Sequence, residues 1–404
     1  MKQRTLLITL TGPDRPGVTA RLFTVLSGFP VDVADVEQVV IRGRLILGVL
    51  VAYSGGPPTG TGGTIGAMWA AVERVAEDLG MEVELSTGTD LQEKRRRGRL
   101  HVTVLGSPLQ PAALAGIAGR ISAAGANIDR IERLAHTPVI CIELAISGAD
   151  PALLRTALAA EAVLQQVDVA VQRSGLHRRA KRLIVMDVDS TLIQGEVIEL
   201  LAKHAGNMAE VERITTAAMR GELDFAASLR ERVALLKGLP EEVFDRVRKE
   251  VVLTPGARTL VRTLKRLDYH FAIVSGGFTQ ITDSLVAELG IDYSAANTLE
   301  VVDGVLTGRV CGEIVDRAGK ARALERFARD AGIPISQTVA IGDGANDLDM
   351  ISAAGLGIAF NAKPVLRQAA DATVNVPYLD AILYLLGISR AEVEAADAED
   401  PQPG

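Results

Sequence analysis

Histidine, cysteine and tryptophan are scarce in this chain of 404 residues, with five, two and one copies. No histidine neighbours a nucleophile candidate or a second histidine at metal-ligand spacing, which argues against histidine-centred catalysis. The cysteines, Cys141 and Cys311, both stand in apolar stretches without metal-ligand spacing, so buried free thiols in a reducing cytoplasm are expected rather than a disulfide. Aromatics make up 3% against 48% apolar residues, so the cores must be built from Ala, Val, Leu and Ile. No apolar run reaches the roughly 18 residues of a membrane helix, and no charged-then-apolar leader opens the sequence. A soluble, cytoplasmic protein without a membrane partner is expected. Positive charge is also in deficit: 43 Lys and Arg face 50 Asp and Glu, a net charge of −7. A general nucleic-acid binder needs the opposite balance, so no nucleic-acid partner is expected.

Against that background three blocks emerge, the number that this length suits. Residues 1–90 run "TLLITLTG", a Pro/Gly turn in "PDRPGV", an amphipathic helical stretch, two alternating runs joined by "RG", a second helical stretch ending at Gly80, and "MEVELST". Residues 98–175 repeat that order from "RLHVTVLG" to "VDVAVQ". From Gly12 to Asp32 is 20 residues, and from Gly106 to Asn127 is 21. Each block therefore reads as a βαββαβ unit. The joints "EKRRRGR" and "HRRAKR" read as solvated linkers. Residues 181–390 alternate apolar strands ("RLIVMD", "HFAIVSG", "QTVAIGDG", "LGIAF") with helices, the signature of a doubly wound, mostly parallel α/β sheet. A helical insert spans about 195–253, a hairpin is expected around Asp303-Gly304, and the acidic end 391–404 reads as a disordered tail.

Four polar clusters fall after or between those strands, where open α/β sheets bind ligands. They are "DVDST" (187–191), "SGG" (275–277), Lys320, and "GDGANDLD" (342–349). Alone, an Asp-x-Asp is a common turn, Lys320 a surface lysine and Ser-Gly-Gly a tight turn. Their combination in this order is hard to ascribe to loop chemistry. Asp187, Asp189, Asp343 and Asp347 form an oxygen-only set that suits Mg²⁺. Such a cation would offset the cost of two carboxylates at the mouth of a buried strand. Ser275, the N–H groups after it and Lys320 are suitable donors to phosphate oxygens.

These four motifs resemble those of the haloacid dehalogenase superfamily, and over about 181–385 the chain looks like the phosphoserine phosphatases. The two leading blocks resemble ACT domains, small α+β (ferredoxin-like) amino-acid-binding modules, so the whole resembles the long, ACT-bearing phosphoserine phosphatases of actinobacterial type. The resemblance implies Asp187 as nucleophile and Asp189 as general acid and base. It implies Mg²⁺ on the side chains of Asp187 and Asp343 and the carbonyl of Asp189, with Asp347 in an outer role. Ser275, Gly276, Lys320 and Asn346 match phosphate-binding positions. The insert matches the substrate-selecting cap: Glu196 for the amine, Arg232 for the α-carboxylate, Phe225 and Met219 as apolar walls.

The expected reaction is hydrolysis of O-phospho-L-serine, the last step of serine synthesis. One alternative is phosphoryl transfer to an alcohol acceptor. Another is an amino-acid sensor in which phosphatase activity is secondary. "GPDRPGV" fits the ACT ligand turn, which makes Gly12, Gly17 and Asp32 candidate contacts for serine or another amino-acid effector. In the second copy "GSPLQPAA" lacks the Arg-Pro-Gly, leaving Gly106 and Asn127. A homodimer through the ACT domains is expected.

Overall fold

The computed structural model describes residues 4–53, 64–88, 99–175, 178, 180–219 and 224–399. The chain divides into two compact units, Met1–Arg96 and Arg97–Gly404. In the first, strand β1 (Arg4–Pro13), helix α1 (Val18–Leu26), β2 (Val31–Ile41), β3 (Arg44–Tyr53), α2 (Thr64–Leu79) and β4 (Glu82–Gly88) follow one another. The sheet runs β2-β3-β1-β4 and is antiparallel throughout. Period-two alternation sends Leu6, Ile8 and Leu10 of β1 and Leu45, Leu47, Val49 and Val51 of β3 to one face, where Val18, Leu22, Met68 and Val72 of the helices cover them. The turn between β2 and β3 is Arg42-Gly43, both at positive φ (46° and 77°), as a two-residue hairpin of this twist requires.

The second unit begins with β5 (Leu100–Gly106), α3 (Pro111–Ala123), β6 (Asn127–Ala135), β7 (Ile140–Ser147), α4 (Pro151–Gln165) and β8 (Asp168–Arg173), the same order again. There follow β9 (Leu183–Asp187), α5 (Val197–Ala205), α6 (Met208–Met219), α7 (Phe225–Ala234), α8 (Val243–Glu250), α9 (Ala257–Arg266), β10 (His270–Phe278), α10 (Thr279–Leu289), β11 (Tyr293–Val302), β12 (Val305–Cys311) and α11 (Arg317–Asp330). The chain closes with β13 (Thr338–Gly342), α12 (Leu348–Ala353), β14 (Gly357–Phe360), α13 (Pro364–Ala369), β15 (Ala372–Val374), α14 (Ile382–Leu385) and α15 (Arg390–Glu399). One 11-stranded sheet runs β12-β11-β10-β9-β13-β14-β15-β8-β5-β7-β6. From β11 to β15 its neighbours are parallel, so their carboxyl ends share an edge. Helices α5–α8 form the insert, entered and left through a bridge between Ile193 and Leu253. The hairpin expected at Asp303-Gly304 joins β11 to β12, with φ of 51° and 76°.

The second βαββαβ block has the expected element order and also joins the α/β body: β8 pairs with β15 at Ala170 and Ala372, extending one sheet across both. Asp168 holds the joint by accepting from Asn375 N (2.7 Å) and Asn375 Nδ2 (2.5 Å), and Arg155 pairs with Asp371. Burial pushes the Asp168 carboxyl up, against the pull of these donors.

Three other expectations are corrected. The basic joint is not a solvated linker. Arg178 is half-buried against Glu143, Lys181 donates to the Ser336 carbonyl at 2.8 Å, and Arg182 lies over the Tyr269 ring at 5.7 Å. Basic runs read as solvated only when no acid or carbonyl waits nearby, and here the packed neighbours supply them. "EKRRRG" (93–98) lies outside the described residues.

The acidic end forms α15 as far as Glu399, with Val393 buried and Asp397 paired to Arg262 and Arg266. Cys141 is buried, whereas Cys311 is exposed because it ends the sheet's outermost strand.

Candidate active site

The apolar strand β9 delivers Asp187 to the carboxyl edge of the sheet, and the chain then turns through a single π-type turn, Val188–Leu192. Ser190 in that turn has a φ of 58°, a strained choice for a residue with a Cβ. Asp187 is almost fully buried; its Oδ1 accepts from Val188 N at 2.8 Å and from Lys320 Nζ at 2.7 Å. Asp189 accepts from Val197 N (2.8 Å) and from Ser275 Oγ (3.0 Å). Ser275 Oγ in turn accepts from Gly277 N at 2.7 Å.

Lys320, on the first turns of α11, is 1% exposed and sits between two acids, 2.7 Å from both Asp187 and Asp347. Asp347 also accepts from the N–H groups of Asp343 (3.2 Å) and Gly344 (3.0 Å), which anchors the loop after β13. Carboxylate oxygens of Asp187, Asp343 and Asp347 all lie within 4.8 Å of one another.

The electrostatics follow from burial. Asp187 is pushed well above the usual carboxylate range by desolvation and then by Asp347, with Lys320 opposing. Burial also raises Asp189, against hydrogen bonds from Val197 and Ser275. Asp343 is pushed up to about 6 by burial and Asp347. Burial alone would lower Lys320, but Asp187 and Asp347 outweigh it and hold the ammonium above an ordinary lysine. Three carboxylates thus share one buried lysine, and the nearby acids add to the cost of charging Asp187 and Asp343.

A cavity of about 70 Å³ opens over this cluster. Of the residues expected from sequence, Asp187, Asp189, Glu196, Phe225, Arg232, Gly276, Asp343 and Asn346 line it together. Ser275, Lys320 and Asp347 stand one layer behind, bonded to Asp189, to Asp187 and to the 343–344 loop. The Met219 side chain lies outside the described residues. Phe225 comes so close that a Cβ on Gly276 would meet its ring at 2.9 Å. Glu196 is pushed up to about 7 by burial, then by Asp189 and Asp343, with Arg232 opposing. Arg232 is half-buried and donates to the Ser228 carbonyl at 3.3 Å.

Sequence reading missed Ile198, Leu229, Phe278 and Lys363 in the lining. Lys363 follows β14 at the same sheet edge, its N–H bonded to the Asp343 carbonyl at 2.9 Å. Its place after an apolar strand in "LGIAFNAK" was the available signal.

This arrangement of acids, lysine and glycine loop at a parallel sheet edge can now be set beside known proteins. Residues 184–352 match the family described as haloacid dehalogenase-like hydrolase, and residues 4–86 and 100–172 each match an ACT domain. The phosphoserine phosphatase of Streptomyces coelicolor is 62% identical over 393 residues, 97% of this chain and 94% of that protein. The chain belongs to the phosphoserine phosphatase family. A second member, phosphoserine phosphatase SerB2 of Mycobacterium tuberculosis, is 52% identical over 98% of this chain and 96% of its own. The crystal structure of a probable phosphoserine phosphatase from Vibrio cholerae is 36% identical, covers 76% of this chain and 91% of its own, and superposes with a TM-score of 0.58.

The candidate effector residues of the ACT modules are not brought together within one module. Gly12 pairs with Leu45 and Asp32 with Ala52, at opposite ends of β3. Gly106 and Asn127 likewise pair with Ile140 and Ser147, the two ends of β7. Seven residue steps along the strand separate the members of each pair, about 23 Å at the rise of a strand. The crossover helix causes this, because it returns the chain to the far end of the sheet before the next strand starts. Gly17 caps α1 at φ 93°, and Gly12 is packed so tightly that a Cβ would strike Met81 Sδ at 2.4 Å.

Proposed function

We propose that this protein hydrolyses O-phospho-L-serine to L-serine and phosphate through an aspartyl-phosphate on Asp187, as the last step of serine synthesis. The observation that carries the reading is a single cavity lined both by buried Asp187 and Asp189 and by Glu196 and Arg232. The first pair suits phosphoryl chemistry. The second suits an ammonium and a carboxylate, since a guanidinium forks onto a carboxylate and a carboxylate accepts from an ammonium. No helix among the described residues is long and apolar enough to cross a membrane, which fits the cytoplasmic location we propose.

An Asp187 oxygen attacks phosphorus, the ester P–O bond breaks, and the serine oxygen leaves with its electron pair and takes a proton from Asp189. Burial supports that role, because it raises the Asp189 carboxyl above its ordinary value and so favours the protonated form that an acid needs. Water then attacks phosphorus, gives its proton to Asp189, and Asp187 departs as carboxylate with release of phosphate. Lys320, Ser275, Gly276 and Asn346 supply donors to the phosphoryl oxygens.

The net negative, oxygen-only donor set fits a hard divalent cation. Mg²⁺ would be held by the side chains of Asp187 and Asp343 and the carbonyl of Asp189, with Asp347 behind them, and when bound would neutralise phosphate charge. The test is phosphate release from a panel of phospho-amino acids and phosphoproteins, with Mg²⁺ or EDTA. Preference for free phosphoserine and loss of release in EDTA are expected. Equal rates on phosphoproteins would sink the closed-pocket reading, and a rise in transfer product with homoserine would favour a phosphotransferase.

A pH dependence follows from Glu196. With its carboxyl pushed up to about 7, it is protonated below that pH and cannot pair with the substrate ammonium. The KM of wild type relative to Glu196→Gln should therefore worsen as pH falls from 8 to 6, measured by initial rates. A raised acid favours folding below its unfolded value and loses that benefit as pH rises through the folded one. Glu196→Gln should accordingly melt higher than wild type at pH 8 and equal to it near pH 4.5.

We further propose that serine or another amino acid regulates the enzyme through the ACT modules and that two copies assemble through them. In support, Val33, Val36, Val39, Val40 and Ile41 are exposed along the edge strand β2. A small ligand touching both the Gly12–Gly17 turn and the Asp32 region would have to be shared between modules. Calorimetric titration of the full chain with serine, beside its mass in solution, tests this; no heat and a monomer would defeat it.

A further inference from the structure

Between the paired positions Val274↔Ala295 and Phe278↔Asn297, β10 advances four residues (278 − 274) while β11 advances two (297 − 295). The two extra residues form a bulge at Ser275–Gly277, beside the cavity. A bulge strips backbone groups of their ladder partners, and buried ones must find others. Gly277 N–H finds Ser275 Oγ. The Gly276 carbonyl finds the side chain of Asn297, whose Nδ2 donates to it at 2.8 Å.

Asn297 is 1% exposed, and its other end is also engaged: Oδ1 accepts from Val315 N at 2.8 Å. Val315 lies just before Asp316, the cap of α11, the helix that carries Lys320. A carbonyl at one end and an N–H at the other leave only one orientation for the amide.

We infer that Asn297 is a positioning residue that clamps the Ser275–Gly277 loop to the start of the Lys320 helix, setting the distance between the two arms that grip phosphate. The inference rests on the phosphatase reading above. No other described side chain bonds both arms in this way, and the Gly276 carbonyl cannot recover its bond from the ladder, which the bulge has opened. Asn297 touches no reacting atom, so its effect runs through Gly276 and Lys320. A displacement of about 1 Å in such a cradle costs on the order of 10²-fold in rate.

Asn297→Asp keeps the size and the acceptor but removes the donor to Gly276. At pH 8 its kcat/KM for phosphoserine should fall about 10²-fold, and the Ki for inorganic phosphate should rise, to a lesser degree. A carboxyl buried at this site has a raised pKa, and once protonated it can donate again. The ratio of variant to wild-type kcat/KM should therefore recover several-fold between pH 8 and pH 5.5, which a merely structural defect would not show. Unchanged kcat/KM at pH 8, or a deficit that stays constant with pH, overturns the inference.

Should that variant not fold by its thermal melt, Asn297→Ser, too short to bridge both arms, carries the test through the Ki for phosphate. A raised Ki supports the clamp and an unchanged one refutes it. If wild type itself releases no phosphate from phosphoserine, the functional reading fails, while phosphate binding by wild type and variants still judges the clamp.

Discussion

Asp187→Asn is expected to lower phosphate release from phosphoserine by about 10⁴-fold or more, since an amide cannot attack phosphorus and a lost nucleophile typically removes that much. The fold should survive. The amide keeps the shape of the carboxyl and the acceptor for Val188 N, and Lys320 retains Asp347 as its partner. Burial already disfavours charge on Asp187, so neutralising it relieves part of that cost. Phosphate release by the purified variant, beside its thermal melt, decides the matter. Substantial turnover by a folded Asp187→Asn protein would exclude the aspartyl-phosphate route.

Lys320→Met should damage activity and stability together. The lysine is the ammonium that bridges Asp187 and Asp347, and it is fully enclosed. Without it, Asp187, Asp343 and Asp347 face one another uncompensated, and breaking a buried ion pair from one side costs about 3–5 kcal/mol. Loss of the proposed phosphate donor should add a fall in kcat/KM of at least about 10²–10³-fold. The stability deficit should depend on pH in a definite sense. Asp187 and Asp343 have raised folded values, Asp343 at about 6, so their protonated forms suit the folded state. Lowering the pH from 8 to 5 protonates them and removes the repulsion, and the gap between variant and wild-type melts should narrow. A gap that widens in acid would show that Lys320 is not the compensating charge.

The split between what could be read in the chain and what could not follows the range of each interaction. "DVDST", "SGG" and "GDGANDLD" carry their chemistry within a few residues, and each follows an apolar strand, so their place at a sheet edge was readable. Glu196 and Arg232 were assigned only through family resemblance, because a helix with charges every few residues reads equally as a solvated face. Lys320 was read as a phosphate donor, whereas the folded chain also makes it the counter-charge of two acids 133 and 27 positions away (320 − 187 and 347 − 320). Asn297 gave no signal at all: one amide in "SAANTLE" acquires meaning only beside a bulge on the neighbouring strand.

The basic joint and the acidic end were misread for a related reason. Charged runs are solvated unless packing brings a partner, and Glu143, Ser336, Arg262 and Arg266 are partners that local sequence does not reveal. The same holds for the union of β8 with β15, which turns on Asp168 meeting Asn375.

By itself, then, the order of residues determined the class of the folds, the twice-repeated βαββαβ pattern and the set of acids at the strand ends, because periodicity and short motifs are local. Tertiary structure alone decided which charge answers which, that the second small module shares the large sheet, and that the two ends of each candidate effector site lie about 23 Å apart. Those outcomes depend on pairings between distant segments, where burial sets the cost of a charge and only the folded neighbours determine how it is met.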